Sequence, residues 1–469
     1  MQEYILAVSK YVLPLCMAFY TFESFFALSY KKESERNFSY IRQSFWLFFI
    51  QLICFVDVAL VTRDKKYIIA YAFAQVFLFA VHLVPVLVYP KINRQLLNNM
   101  AMLMGIGLAT LSRLSLQRAM RQYIIMFVSF ALCMFLPYMI EKWKIFHKFA
   151  WFYATLGILL LSVVLILGEV TKGSKISFTV YNVTFQPSEF VKVVFIFFMA
   201  ACLYEETSLR RVFLTSVIAG AHVMILVLSK DLGSALIFFV AYLAILFVAT
   251  RNYYYLFGLL SAGAGASVVA YHLFDHIRVR VLAWKDPWAY IDSKGYQITQ
   301  SLFAIGSGSW FGMGLGSGNP DDIPLVEADF IFSSICEEFG TIFSICLILI
   351  ILSCFMMMME IAIRQRNNFY RLIALGIGIV YIFQIFLTVG GGIKFIPLTG
   401  VTLPFISYGG SSVLTTMAMF FILQGISIMN RKEGEKRRVR RKRRQVRRQA
   451  QNAGDIETKD GGANESDGQ

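Results

Sequence analysis

Residues able to move a proton or hold an anion concentrate in four short stretches of an otherwise apolar chain. The longest, Arg278–Gly340, is rich in Gly, Trp and carboxylates, and it delivers Asp329 to the start of the apolar run Phe330-Ile331-Phe332. A carboxylate at the mouth of an apolar cavity is suited to proton abstraction. Glu337 and Glu338 follow about two turns later. A second stretch is Phe185-Gln186-Pro187-Ser188-Glu189-Phe190-Val191-Lys192. Pro187 opens a helix there, Glu189 sits in its first turn, and Lys192 lies three residues on along the same face. That pair reads either as a cap with an ion pair or as a functional pair, since charges inside an apolar run are costly and usually functional. The third, Lys230-Asp231-Leu232-Gly233, puts Asp231 at the start of another apolar run, as an N-cap or facing a polar cavity. The fourth, Pro397–Ser412, has two prolines and many small residues. It breaks a membrane helix, which is tolerated only where protein or a cavity surrounds the backbone.

The elements that must position these residues are membrane helices. The chain has 469 residues, of which 57% are hydrophobic and 16% charged. A soluble protein of that composition could not cover its surface with polar groups. Thirteen apolar runs of span length are expected near 5–28, 45–62, 67–89, 97–112, 122–140, 149–167, 190–204, 212–229, 232–249, 254–273, 330–359, 370–389 and 408–428. The runs at 97–112 and 190–204 are the shortest or most broken. The fold class is therefore an all-α polytopic membrane protein. Lys and Arg fall in alternate loops, together with the polybasic tail from Arg431. By the positive-inside rule the C-terminus is cytoplasmic and the N-terminus outside. All four chemical stretches then lie at the outer face. Outer loops that keep Arg113, Arg118, Arg121, Lys172, Lys175 and Lys192 against the usual bias suggest an anionic ligand. The seven cysteines lie in apolar runs without paired spacing and read as buried hydrophobes.

Three regions follow: extra spans over 1–95, a membrane core over 96–430 with a large outer loop at 274–328, and a tail over 431–469. The tail lacks apolar periodicity, is expected to be disordered, and suits the anionic inner leaflet better than nucleic acid. Residues 295–305 read as a short interfacial helix with Ile298, Leu302 and Ile305 on one face. The glycines from Gly306 to Gly318 read as a mobile loop that lets backbone approach a ligand.

From about Asn98 to Asn430 the chain resembles the SEDS family of bacterial cell-wall glycan polymerases. The matching motifs are Arg121-Gln122, Gln186–Lys192, Asp231-Leu232-Gly233, Gly295–Gly308, Gly312–Gly316, Asp329–Glu338 and Pro397–Ser412. The resemblance implies a ten-span core and a glycosyltransferase in the bacterial plasma membrane. It would polymerise lipid II, with Asp329 as the catalytic base. The matching segments and their neighbours supply the substrate-binding candidates Arg121, Lys175, Gln186, Glu189, Lys192, Asp231, Gln297, Ser407 and Ser411. Arg121, Lys192 and Lys175 are the candidates to steady the pyrophosphate leaving group, with or without a divalent ion. A single-span class B penicillin-binding protein is the implied partner. A flippase for the same lipid and a non-catalytic scaffold stay open. The chain departs from the family pattern at Glu327-Ala328, usually His-Thr, and at Lys230, usually Pro.

Overall fold

The computed structural model describes residues 2–30, 32–171, 174–180, 183–205 and 207–463. The N-terminal helices are α1 Gln2–Ser29, α2 Glu33–Thr62 and α3 Lys66–Val88. Then come α4 Arg94–Leu114, α5 Leu116–Cys133, α6 Leu136–Lys142 and α7 Ala150–Leu167. A three-stranded antiparallel meander follows, β1 Glu169–Thr171, β2 Ser174–Val180 and β3 Val183–Phe185. The chain continues through α8 Pro187–Leu203, α9 Leu209–Leu228, α10 Leu232–Thr250 and α11 Tyr253–Leu273. The polar insert holds α12 Asp275–Lys285 and α13 Tyr296–Gly308, and the last helices are α14 Ile331–Arg364, α15 Asn368–Gly392 and α16 Gly410–Ala463. Many helices begin where a side chain can take an orphan backbone N–H. Asn93, Ser115, Asp231, Asn252 and Asn367 all accept such a bond at their own helix starts.

Among the described residues eleven helical segments are long and apolar enough to cross a membrane, α5 and α6 counting as one. The two remaining expected runs, at 97–112 and 190–204, are also helices, α4 and α8. Helix α4 carries Gln95, Asn98 and Asn99 and is buried from Gln95 to Ser112, packed among α2, α3, α5 and α14. Helix α8 has 17 residues and is largely buried against α7, α10 and α15. Polar side chains set α4 apart from a lipid-facing span and shortness sets α8 apart, while neighbouring protein replaces lipid around both.

Two further features differ from the sequence reading. The meander occupies what reads as a plain loop over 168–189, because Ile176, Phe178 and Val180 alternate with polar residues at strand period. Helix α16 also runs on past Arg431 to Ala463, through the basic segment expected to lack regular structure. A helix already nucleated in the bundle needs no new nucleus, and Arg, Lys, Gln and Ala propagate it well.

The glycine-rich loop is used to approach another backbone. Helix α14 is broken at Gly340, which takes φ 87° and ψ 171°. Met313 and Gly314 N–H donate to the freed carbonyls of Glu337 and Glu338 at 2.8 and 3.0 Å. Thr341 and Ile342 N–H donate to Ser309 and Trp310 carbonyls at 3.0 and 3.2 Å. The carboxylates of Glu337 and Glu338 accept from Asn319 and Gly316 N–H, and Arg113 Nε donates to Glu338 at 2.9 Å. This loop therefore clamps the kink of α14 instead of lying free. At Gly312, with φ +81°, a Cβ would come within 2.2 Å of Glu338 O. Gly312→Ala is expected to lower the thermal midpoint of the purified protein and cut activity together, since a left-handed backbone alone costs about 1–3 kcal/mol. An unchanged midpoint would show that the clamp is not holding α14.

The N-terminal helices join the bundle through buried polar contacts. Tyr20 OH and Ser24 Oγ both donate to Asn99 Oδ1 at 3.1 Å, and Gln43 Nε2 donates to Gln95 Oε1 at 2.9 Å. Asn99 Nδ2 donates to Ser353 Oγ at 3.1 Å, tying α1, α4 and α14 together. Glu23 accepts from Ser39 Oγ at 2.8 Å and pairs with Arg42 at 2.9 Å, joining α1 to α2.

Candidate functional site

At one end of the bundle the starts of α8, α10 and α14 meet α12, α13 and the broken segment before α16 around a cavity of about 310 Å³. Asp329 lies in its wall and is 8% exposed. A tight turn presents it: Ala328 and Asp329 N–H both donate to Leu325 O, and Leu325 takes φ 63°. Its Oδ2 faces Gly400, where a Cβ would stand 3.7 Å away. Glu327, beside it, is ion-paired with Arg118 at 2.6 Å, and its carbonyl accepts from Tyr408 N–H at 2.7 Å. Those contacts tie the turn to α5 and to the broken segment, and the turn places Asp329 in the cavity lining.

Asp231 combines the two roles open to it. Its Oδ1 accepts from Ser234 N–H at 3.0 Å as the cap of α10. Its Oδ2 accepts from Ser188 Oγ at 3.1 Å and Gln186 Nε2 at 3.4 Å. Gln186, Glu189, Asp231, Gln297 and Asp329 thus share one cavity wall. Ser411 stands behind it and accepts from Gln186 N–H at 2.9 Å. Ser407 is buried and supports the turn: its hydroxyl accepts from Leu403 N–H at 2.8 Å and donates to Ala328 O.

The cations expected to face the ligand are placed elsewhere. Lys192 is 1% exposed, with its ammonium 2.9 Å from Glu189 Oε2 and 2.7 Å from Gln384 Oε1. It does not line the cavity. Arg121 is exposed on α5, outside the lining residues. Lys175 lies on β2, and its side chain is outside the described residues. Instead the cavity is lined by Lys230, Arg280 and Lys294. Arg280 donates from Nη1 to the carbonyls of Leu398 and Thr399 at 3.3 and 3.2 Å. Burial pulls its guanidinium below the usual range, and the charges of Asp231 and Asp329 oppose that shift. Sequence reasoning passed over Arg280 and Lys294, although both lie in the polar insert. The available signal was the spacing of Val279, Arg280 and Ala283 on one side of a short helix, all three of which line the cavity.

The broken segment is satisfied from all sides. Gln384 Nε2 donates to Thr402 O at 3.0 Å, Thr388 Oγ1 to Val401 O at 2.9 Å, and Gln122 Nε2 to Ser407 O at 3.1 Å. Irregular backbone inside the bundle is stable because protein donors replace the missing helix bonds. Among the described residues no group of three or more His, Cys, Asp or Glu converges as a metal-ligand set.

The fold and cavity define a polytopic helical membrane protein with a mixed-charge polar site at one end of the bundle. The family described as "Cell cycle protein", of the FtsW, RodA and SpoVE proteins, matches residues 92–432, and the chain belongs to it. Peptidoglycan glycosyltransferase RodA of Mycobacterium leprae is 32% identical over 371 residues, covering 72% of this chain and 78% of the relative. RodA of Mycobacterium tuberculosis H37Rv is 34% identical over 277 residues, covering 54% of this chain and 58% of its own length. The chain thus spans little more than half the length of that relative. A solved chain described as part of a peptidoglycan synthase complex coordinating polymerization and crosslinking aligns with a TM-score of 0.62 and 23% identity. That alignment covers 72% of this chain and 98% of the other, and it establishes the shared fold.

Proposed function

We propose that the protein polymerises glycan strands from lipid II at the outer face of the bacterial plasma membrane, with its N-terminus outside and its C-terminus cytoplasmic. The observation that carries this reading is Asp329 in one cavity with three cations. The acceptor GlcNAc 4-hydroxyl attacks C1 of the donor sugar. Asp329 takes the hydroxyl proton, the new C1–O bond forms, and the bond from C1 to the lipid pyrophosphate breaks. Pyrophosphate is a good leaving group, so a second carboxyl acting as acid is not required, unlike in most glycosidases. Arg280, Lys230 and Lys294 offset its developing charge. Attack opposite an α-linked leaving group inverts the anomeric carbon and gives a β-linked strand.

A single-span class B penicillin-binding protein is the proposed partner. The likeness to a chain described as part of a polymerising and crosslinking complex supports that choice. The test is incubation of the purified protein with lipid II, alone and with a transpeptidase partner, with glycan resolved by gel. Polymer is the expected product. Lipid translocation in vesicles without polymer would favour a flippase, and partner binding with neither activity would favour a scaffold.

A further inference from the structure

The two residues before Asp329 belong to a closed ring of contacts built on α5. Arg118 and Gln122 lie at i and i+4 on one face of that helix. Arg118 Nη1 pairs with Glu327 Oε1 at 2.6 Å. Gln122 is fully buried, donates from Nε2 to Ser407 O at 3.1 Å, and accepts at Oε1 from Gly409 N–H at 3.3 Å. The segment held in this way turns back on the residues before Asp329. Tyr408 N–H donates to Glu327 O at 2.7 Å, and the Ser407 hydroxyl donates to Ala328 O. Helix α4 backs the same segment. A Cβ on Gly107 would stand 2.5 Å from Phe405 O and 2.8 Å from Ile406 Cα, so the backbone has no room to move toward α4.

Every other link of this ring ends on a main-chain atom. Arg118–Glu327 alone joins two side chains, and it alone joins two charges. The Glu327 side chain is 15% exposed and that of Arg118 47%. A carboxylate so far withdrawn from water needs its counter-charge, and without Arg118 it would turn outward and draw the turn with it. A general base must stand within hydrogen-bond reach of the proton it takes, so a small displacement of the turn carries a large loss of rate.

We propose that Arg118 and Glu327 are positioning residues for the proton-abstracting step, acting through the turn to hold the Asp329 carboxylate within reach of the acceptor hydroxyl. The assignment rests on the polymerase reading with Asp329 as base. Neither residue lines the cavity, so neither is placed to touch substrate. Paired, they add no net charge beside Asp329. The other charged groups that share its cavity are Glu189, Lys230, Asp231, Arg280 and Lys294, and these stay the same when either member of the pair is changed.

The test measures the polymerisation rate at saturating lipid II, and the lipid II concentration that gives half of it, across pH. The full-length proteins compared are wild type, Arg118→Gln, Glu327→Gln and the double variant. Each single variant is expected to lower the saturated rate by about ten- to a hundredfold, the scale of a misplacement of about 1 Å, with the half-saturating concentration unchanged. The double variant is expected to lose no more than the worse single one, because the two residues act as a unit. The acid limb of the rate profile is expected to move up in Arg118→Gln, where an unpaired carboxylate opposes ionisation of Asp329. It is expected to move down in Glu327→Gln, where an unpaired guanidinium favours ionisation. Should Arg118→Gln fail to fold, the rate and the limb of Glu327→Gln decide the matter. Wild-type rates in the single variants, losses that multiply in the double, a raised half-saturating concentration, or losses with the limb unmoved would each overturn the proposal. Asp329→Asn is run beside them, and full activity there would overturn the base assignment beneath the proposal instead.

Discussion

Asp329→Asn is expected to lower glycan polymerisation by about 10²- to 10⁴-fold, the usual worth of a positioned general base. Asparagine keeps the shape of the side chain and loses the proton acceptor. The turn that carries the residue is held by main-chain bonds to Leu325 O and by the Arg118–Glu327 pair, none of which uses the Asp329 carboxylate. Those bonds should keep the turn in place in the variant, and lipid II binding should persist through the cavity cations. The measurement is single-turnover polymerisation beside a lipid-binding assay on the same preparation. Full activity in the variant would remove Asp329 from the chemistry. Lost activity together with lost lipid binding would assign it to substrate binding instead.

The order of helices was largely legible because lipid imposes long apolar runs, and the helix ends follow from cap residues such as Asn93, Asp231 and Asn367. Convergence of Gln186, Glu189, Asp231, Gln297 and Asp329 was legible as motif positions near membrane boundaries. The loop glycines were not, because composition cannot say whether a backbone approaches a ligand or another backbone. Gly312 and Gly340 settle that only through their shared contact, in which a Cβ on either would strike the other strand at 2.2 Å. The cations misled for a related reason. Lys192 and Arg280 are both bases near acids in sequence or space. Their roles separate only once burial is known, with Lys192 walled in by Gln384 and Arg280 opening on the cavity.

Lys192→Met is expected to destabilise the protein by about 3–5 kcal/mol, because it leaves the Glu189 carboxylate buried without its counter-charge. The ammonium has two partners, Glu189 Oε2 at 2.9 Å and Gln384 Oε1 at 2.7 Å, so the loss also strips one bond from α15. Glu189 is in the first turn of α8, where the helix dipole favours an acid, but that is worth only about 0.3–1 kcal/mol and cannot replace the lysine. Removing both charges reverses the argument. Glu189→Gln/Lys192→Met is expected to regain most of the lost stability, since a neutral amide costs far less to bury than an unpaired carboxylate. The comparison is read as thermal midpoints of the two variants in one detergent. A single variant as stable as wild type would mean that the ammonium spends its charge on a ligand rather than on Glu189. The same result would bring the Lys192 ammonium into the cavity, whose lining it does not join in this structure.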